Sequence, residues 1–255
     1  TLFLTTIYSY LLGKKIIFRG EGSTQRSSFL RETLKRIFLP SYFKLFDSVL
    51  YSFPQNKDYF KHYSVPNKRL FFAPSSVDSK RWSSAAPEYS NYPELRLDIK
   101  KNKNFVYLFC GLLGPRKNPG SLMNAFRSVL EQSPDARLLV AGDGPLLKDL
   151  EIWSDNHNLS SSIVFLGSIS EDKLCEVYNL CDVLVLPSEY DPSPKVLHEC
   201  FACGVPAVVS NAVGTVGSFA IDKVNCLVYP AGNVGELTAA MNLIKDDIAL
   251  FERLK

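Results

Sequence analysis

The chain has 255 residues, a formal net charge of +3 and six cysteines. This length corresponds to one large or two small domains. Residues 1–80 carry 13 Lys and Arg residues against five Asp and Glu residues, so the basic charge is concentrated there. Basic charge attracts anions, but no recognised nucleic-acid-binding motif accompanies it, and we expect no nucleic-acid partner.

The first 80 residues predict alternating helices and strands. An apolar run at residues 2–12 is too short to span a bilayer and ends in Gly13-Lys14-Lys15, so it predicts a buried helix. The pattern then predicts strands at 15–18, 48–52 and 69–73, and helical regions at 27–46 and 55–63. Residues 81–104 have little apolar periodicity and predict a linker, in which residues 95–97 could form a short helix.

The helical region near residue 30 interleaves basic and apolar side chains. The basic ones are Arg26, Arg31, Lys35, Arg36 and Lys44, and the apolar ones are Phe29, Leu30, Leu34, Ile37, Phe38 and Leu39. This pattern is typical of a helix on an anionic membrane surface, and equally of a packed helix with a solvated basic face.

Residues 105–255 follow a regular β/α plan. Strands are predicted at 136–141, 162–166 and 182–187, and helices at 145–156 and 171–180. This alternation predicts a doubly wound parallel sheet, in which ligands bind beyond the C-terminal ends of the strands. Gly142, Gly167, Ser168 and Ile169 fall on that edge; the turn at Gly142 is more typical of a tight turn than of a phosphate loop.

The segment DPSPKVLHECFACGVPAVVS, residues 191–210, places Asp191 and Glu199 around the start of a predicted helix. Ser193 suits the N-cap and Pro194 the first helical position, with Gly204 just past the helix end. The helix start favours a phosphate, and Glu199 lies roughly 7.5 Å further along the axis. One ligand could therefore place a phosphate at the helix start and another polar group at Glu199.

A non-functional explanation of the same segment remains open. Lys195 and Glu199 have the i,i+4 spacing of an ion pair on a solvated helix face.

A second motif favours a functional site. Residues 105–126, FVYLFCGLLGPRKNPGSLMNAF, contain an apolar strand that ends at Gly111, a loop with Arg116 and Lys117, and an amphipathic helix.

The acidic pair, the following ACGVPAVVS, and the later VGTVGS and NCLVYPAGN resemble retaining glycosyltransferases of family 4, the glycosyl transferases group 1. The resemblance implies an α/β protein of the GT-B fold, with two Rossmann-like domains. Residues 1–80 would be the remainder of the acceptor-side domain, whose first part we expect to be missing. Residues 81–104 would be the linker, and residues 105–255 the nucleotide-sugar-binding domain.

The resemblance also implies the role of each site residue. Asp191 would lie by the donor sugar and Glu199 would hold the ribose hydroxyls, and with Lys117 they form the expected catalytic set. The remaining donor-binding residues would be Gly111, Arg116, Gly167, Ser168, Ile169, Ser193, Pro194, Lys195 and Val196. Arg19 and Glu21 resemble an acceptor-side motif, although they could also pair with each other across a turn.

The chain departs from the family pattern at two positions. Asp191 stands where most members have Glu, which retracts the charge by one methylene. Leu112 stands where Arg is usual, so one phosphate contact is missing or comes from Arg116.

The sequence gives no sign of a metal or cofactor. His198, Cys200 and Cys203 share one predicted helix at spacings that cannot converge on one ion, and the cysteines fit reduced, buried thiols of a cytosolic protein. No convincing paired-Asp motif of a metal-dependent transferase is present. We therefore expect no cofactor beside the donor substrate.

The resemblance implies transfer of a sugar from a nucleotide diphosphate sugar to an acceptor hydroxyl with retention, in which stabilisation of the leaving phosphate dominates. A lipid-linked glycan in polysaccharide biosynthesis is the expected acceptor, and the location would be cytoplasmic or peripheral on the membrane. Two alternatives stay open: a sugar phosphorylase or sugar-phosphate synthase of the same fold, and a noncatalytic nucleotide-sugar binder.

Overall fold

The computed structural model describes residues 2–22, 29–84, 92–102 and 104–255. The chain divides into two compact units, Thr1–Ser75 and Ser76–Lys255. In the first unit the described elements are the helices α1 (Leu2–Leu11), α2 (Phe29–Phe43) and α3 (Pro54–His62), and the strands β1 (Ile17–Arg19), β2 (Ser48–Tyr51) and β3 (Leu70–Phe72). The strands pair in parallel in the order β1-β2-β3.

The first unit has a small aromatic core. Phe43, Phe46, Phe60 and Tyr63 are buried against β2. Helix α1 forms as predicted, but the expectation that it is buried is wrong, because Leu4 and Leu11 are 71% and 75% exposed. The helix contacts the rest of the unit through Thr6, which is 7% exposed, and through Phe3, whose ring stacks on Tyr42 with centroids 5.5 Å apart.

The second unit contains six strands and eight α-helices among its described residues. The strands are β4 (Val106–Cys110), β5 (Arg137–Ala141), β6 (Ile163–Gly167), β7 (Val183–Leu186), β8 (Ala207–Ser210) and β9 (Cys226–Tyr229). The helices are α4 (Ser79–Ser84), α5 (Pro93–Asn102), α6 (Pro119–Gln132), α7 (Leu147–Asn156), α8 (Glu171–Leu180), α9 (Lys195–Ala202), α10 (Val234–Asp246) and α11 (Ile248–Leu254). The predicted strands and helices of this half are confirmed to within a few residues at their ends.

All strand pairs in the second unit are parallel, in the order β6-β5-β4-β7-β8-β9. Strands β4 and β7 are buried along their whole length, and apolar clusters cover both faces of the sheet. This is the burial expected of parallel strands flanked by helices. The strand order reverses between β4 and β7, which is where doubly wound sheets bind their ligands.

The segment predicted as a linker contains regular structure. Helix α5 and most of α4 lie within residues 81–104, while residues 85–91 and 103 lie outside the described part. Trp82 and Ile99 are buried in one of the apolar clusters of the second unit. The ring of Trp82 meets Tyr178 edge-on, with centroids 5.7 Å apart. Single apolar residues in a polar stretch give no periodic signal, so the sequence did not reveal this packing.

Candidate functional site

The loops after β4 and β7 meet at the point where the strand order reverses. Lys117, in the first loop, donates from Nζ to the carboxylate of Asp191 in the second. Arg116 approaches the same carboxylate, with Nη1 3.8 Å from Asp191 Oδ1. Asp191 is only 4% exposed. Two cations therefore face one buried carboxylate at the crevice.

Backbone and side-chain hydrogen bonds fix the two loops against each other. Glu189 N donates to Arg116 O at 2.9 Å, and Arg116 Nη1 donates to Tyr190 O at 3.0 Å. Asn118 Nδ2 donates to Glu189 Oε1 at 3.1 Å. Asn118 itself has φ 49°, the left-handed conformation that Asn tolerates better than most residues. The position of Lys117 relative to Asp191 is thus held by a network of hydrogen bonds.

Helix α9 begins one residue later than predicted. Pro194 is the N-cap residue, with φ −71° and ψ 112°, and no side chain caps the helix. The prediction that Ser193 is the N-cap is therefore wrong. The backbone N–H groups at the helix start are not occupied by a capping side chain, which suits an anionic ligand. Gly204 follows the helix end with φ 72°, as the sequence predicted.

Glu199 lies on α9 and is 9% exposed. The hydroxyl of Tyr178, on α8, donates to Glu199 Oε2 at 2.9 Å. Burial raises the pKa of Glu199, and the Tyr178 hydrogen bond opposes that rise. An acid with a raised pKa beside a groove is typical of a functional position.

Two grooves that share a wall contain six of the twelve predicted donor-binding residues. One, of about 480 Å³, is lined in part by Ile169, Lys195, Val196 and Glu199. The other, of about 340 Å³, is lined in part by Gly111, Leu112, Gly142, Ser168 and Ile169. Ile169 and Leu174 line both. The structure thus brings residues from three separate sequence motifs to one edge of the sheet.

The floor of this edge requires glycine at Gly142. A Cβ atom there would lie 1.9 Å from Gly111 O, and its φ is 150°. Gly142 N donates to Gly167 O at 2.8 Å, which connects the ends of β5 and β6. Close approach to Gly111 explains the glycine at position 142, whereas the positive φ angles of Gly111 and Gly167, 149° and 65°, explain the glycines at those positions.

The predicted acceptor-side residues belong to the first unit, whereas the predicted donor-binding residues belong to the second. Arg19 ends β1, and Glu21 follows it. Glu21 accepts a hydrogen bond from Ser75 Oγ at 3.3 Å, and Ser75 follows β3. Both positions are therefore at the C-terminal edge of the first sheet.

Sequence reasoning missed several residues at the grooves. Tyr178 supplies the hydrogen bond to Glu199, and Arg81 and Trp82 line the groove that contains Glu199. Arg81 is held by Glu171 and Asp172 at 3.1 and 2.6 Å. The one available signal was Tyr178 itself, because a buried tyrosine hydroxyl usually requires a partner.

His198 and Cys200 of α9 each contact another part of the second unit. His198 stacks on Phe219 with ring centroids 4.0 Å apart, and Cys200 donates to Val205 O at 3.0 Å. Within residues 2–22, 29–84, 92–102 and 104–255, no group of three or more His, Cys, Asp and Glu side chains could hold a metal ion. None of the helices described is long and apolar enough to cross a membrane.

A family model described as glycosyl transferases group 1 matches residues 92–255, more than half of the chain. The chain belongs to this family. Among curated relatives, the UDP-Gal:alpha-D-GlcNAc-diphosphoundecaprenol alpha-1,3-galactosyltransferase of Escherichia coli is 29% identical over 66% of this chain and 41% of its own length. An uncharacterized glycosyltransferase of Methanocaldococcus jannaschii is 34% identical over 49% of this chain and 32% of its own length. The chain thus spans less than half of either relative.

The solved structures show the fold of this group 1 chain. The crystal structure of Anabaena Alr3699/HepE in complex with UDP matches 99% of this chain and 68% of that chain, with a TM-score of 0.79 and 17% identity. The predicted fold class, GT-B with Rossmann-like parallel sheets, is confirmed.

Proposed function

We propose that this group 1 chain acts in a retaining transfer of a sugar from a nucleotide diphosphate sugar to an acceptor hydroxyl. The observation that carries the proposal is the meeting of Lys117, Arg116 and Asp191 between β4 and β7. Lysine and arginine side chains at the reversal of strand order suit a diphosphate, and the carboxylate beside them can bind a sugar hydroxyl.

The donor would lie along the two grooves. Lys117, Arg116 and the backbone from Ser193 to Val196 would hold the diphosphate. Glu199 would accept hydrogen bonds from the ribose hydroxyls, because its carboxylate lines the larger groove. The backbone of Gly167, Ser168 and Ile169 would contact the base.

The chemical step would depend mainly on stabilising the leaving group. The bond between the anomeric carbon and the diphosphate oxygen breaks, and the acceptor oxygen bonds to the same face of the sugar. The acceptor proton passes to the departing phosphate oxygen. Lys117, Arg116 and the start of α9 would stabilise the charge on the diphosphate, with no metal or other cofactor in the proposed reaction.

A lipid-linked glycan is the proposed acceptor, in polysaccharide biosynthesis. The Escherichia coli relative is named for transfer to a diphosphoundecaprenol-linked sugar. Arg19 and Glu21 would contact the acceptor, since each lies at the C-terminal edge of the first sheet. Their roles rest on the family resemblance.

We also propose that helix α2 lies on an anionic membrane surface on the cytoplasmic side. Its exposed apolar side chains are Phe29, Leu30, Leu34, Ile37 and Phe38. Arg31, Lys35 and Arg36 are interleaved with them, whereas Arg26 lies outside the described residues. Apolar and basic side chains together bind anionic interfaces.

Co-sedimentation with lipid vesicles tests the membrane proposal. More of the chain should sediment with vesicles that contain phosphatidylglycerol than with neutral vesicles, and Ile37→Ser should reduce the sedimented fraction. Equal sedimentation with both kinds of vesicle would contradict the proposal.

Calorimetric titration of UDP, GDP and ADP tests the donor site. We expect selective binding of one nucleotide, weakened at least about tenfold but still measurable in Glu199→Ala and Lys117→Ala. Lys148→Ala, which removes an exposed lysine of the same unit, is the matched control and should bind normally. If the wild-type chain binds none of the three, or if the variants bind equally well, the proposed donor site is wrong.

A further inference from the structure

The carboxylate of Asp191 is paired with Lys117, the cation to which the proposed function assigns the donor diphosphate. Its carboxylate accepts the hydrogen bond from Lys117 Nζ and is 3.8 Å from Arg116 Nη1. The Lys117 side chain is only 12% exposed, so its ammonium has little access to water. In the structure the ammonium therefore obtains much of its compensating charge from Asp191.

A second anion at this ammonium changes the electrostatic balance. A diphosphate placed on Lys117 would stand beside the carboxylate of Asp191, and like charges in a poorly solvated crevice repel strongly. Arg116 is 49% exposed, so solvent screens its contribution more than that of Lys117. The carboxylate and the diphosphate therefore compete for Lys117.

We infer, on the basis of the proposed function, that donor binding exchanges Asp191 for the diphosphate on Lys117, and that the released carboxylate turns to a hydroxyl of the donor sugar. A nucleotide diphosphate without its sugar displaces the carboxylate but offers it no new partner. The exchange therefore favours the donor over the nucleotide product. Asp191 acts in this way as a residue that discriminates substrate from product.

The exchange is tested by whether Asp191→Asn raises or lowers the affinity for a nucleotide diphosphate. We expect Asp191→Asn to bind the preferred nucleotide among UDP, GDP and ADP about tenfold more tightly than the wild-type chain, equivalent to about 1.4 kcal/mol. If Asp191 serves instead to position Lys117, the same variant binds the nucleotide more weakly. Weaker or unchanged binding overturns the exchange.

Two controls separate exchange from a general effect of removing negative charge. Asp149 is exposed on α7, in the same unit, and lines neither groove. Asp149→Asn makes the same change of charge, and we expect it to change the affinity less than about twofold. In a Lys117→Gln background, Asp191→Asn should no longer tighten binding, because the residue for which it competes is absent. Equal tightening in Asp149→Asn, or in the Lys117→Gln background, overturns the exchange.

A measurement on the wild-type chain covers the case in which Asp191→Asn does not fold. In protein labelled with ¹⁵N-lysine, the Nζ resonance of Lys117 is assigned by its loss in Lys117→Arg. Saturation with the preferred nucleotide should shift this resonance, and no shift overturns the exchange. Absence of nucleotide binding by the wild-type chain overturns the proposed function itself, which is a distinguishable result.

Discussion

Lys117 donates a hydrogen bond to Asp191 across 74 residues of sequence. The two residues follow β4 and β7, which are neighbours in the sheet although β5 and β6 separate them along the chain. The contact therefore exists because of the order of the strands. It joins two sequence motifs, each of which had a plausible non-functional explanation.

Replacing Lys117 tests how strongly the buried carboxylate depends on it. Lys117→Met leaves Asp191 with Arg116 as its remaining cation at 3.8 Å. Removing one partner of a buried ion pair typically lowers the free energy of unfolding by about 3–5 kcal/mol, and Arg116 should offset part of this loss. Urea denaturation followed by tryptophan fluorescence measures the effect, because Trp82 and Trp153, the two tryptophans of the chain, are both in the second unit. Lys148→Met should change stability by less than about 0.5 kcal/mol; an equal effect of both variants would contradict the dependence.

Glu199 should make the protein less stable at neutral pH. Burial raises its pKa above the ordinary value of 4.5, so the folded protein binds the proton more tightly than the unfolded chain. The free energy of unfolding therefore falls as the pH rises from about 4.5 through the raised pKa. Glu199→Gln removes this loss and should be more stable than the wild-type chain at pH 7, with an advantage that shrinks toward pH 4. Urea unfolding across this pH range measures it, and a variant less stable at pH 7 would show that the Tyr178 hydrogen bond outweighs the burial.

The close approach of strand ends predicts opposite effects at two glycines. Gly142→Ala would place a Cβ atom 1.9 Å from Gly111 O, at a φ that residues with side chains rarely adopt, and should cost at least about 2 kcal/mol. Gly120 is helical and has no heavy atom within 4 Å of an added Cβ, so Gly120→Ala should stabilise by about 0.5–1 kcal/mol. Thermal unfolding of both variants measures the difference. Equal stability would contradict the packing at Gly142.

Leu112 offers a gain-of-function test of the diphosphate site. Its side chain is 59% exposed and lines the smaller groove, so a longer cationic side chain fits without repacking. We expect Leu112→Arg to bind a nucleotide diphosphate about fivefold more tightly, because guanidinium groups bind phosphate bidentately. Leu112→Met should leave the affinity unchanged. A tighter complex with both variants would indicate an apolar contact, and no change with either would place the diphosphate elsewhere.

Much of the fold could be predicted from local pattern. The alternation of apolar strands with amphipathic helices predicted the parallel sheet of the second unit, and helix α8 forms at the predicted Glu171–Leu180. The errors have local causes as well. Helix α1 is apolar enough for burial, but its Leu4 and Leu11 are exposed. Helix α9 begins at Lys195, with Pro194 rather than Ser193 as the N-cap.

The sequence by itself determined the elements, the glycine-rich edge and the residue types of the candidate site, because hydrophobic periodicity and capping preferences act over a few residues. Only the tertiary structure decided which side chains share a partner. Lys117 meets Asp191, Tyr178 meets Glu199, and Trp82 enters the core of the second unit. These contacts depend on strand order and helix packing between distant segments, and no short-range pattern encodes that order.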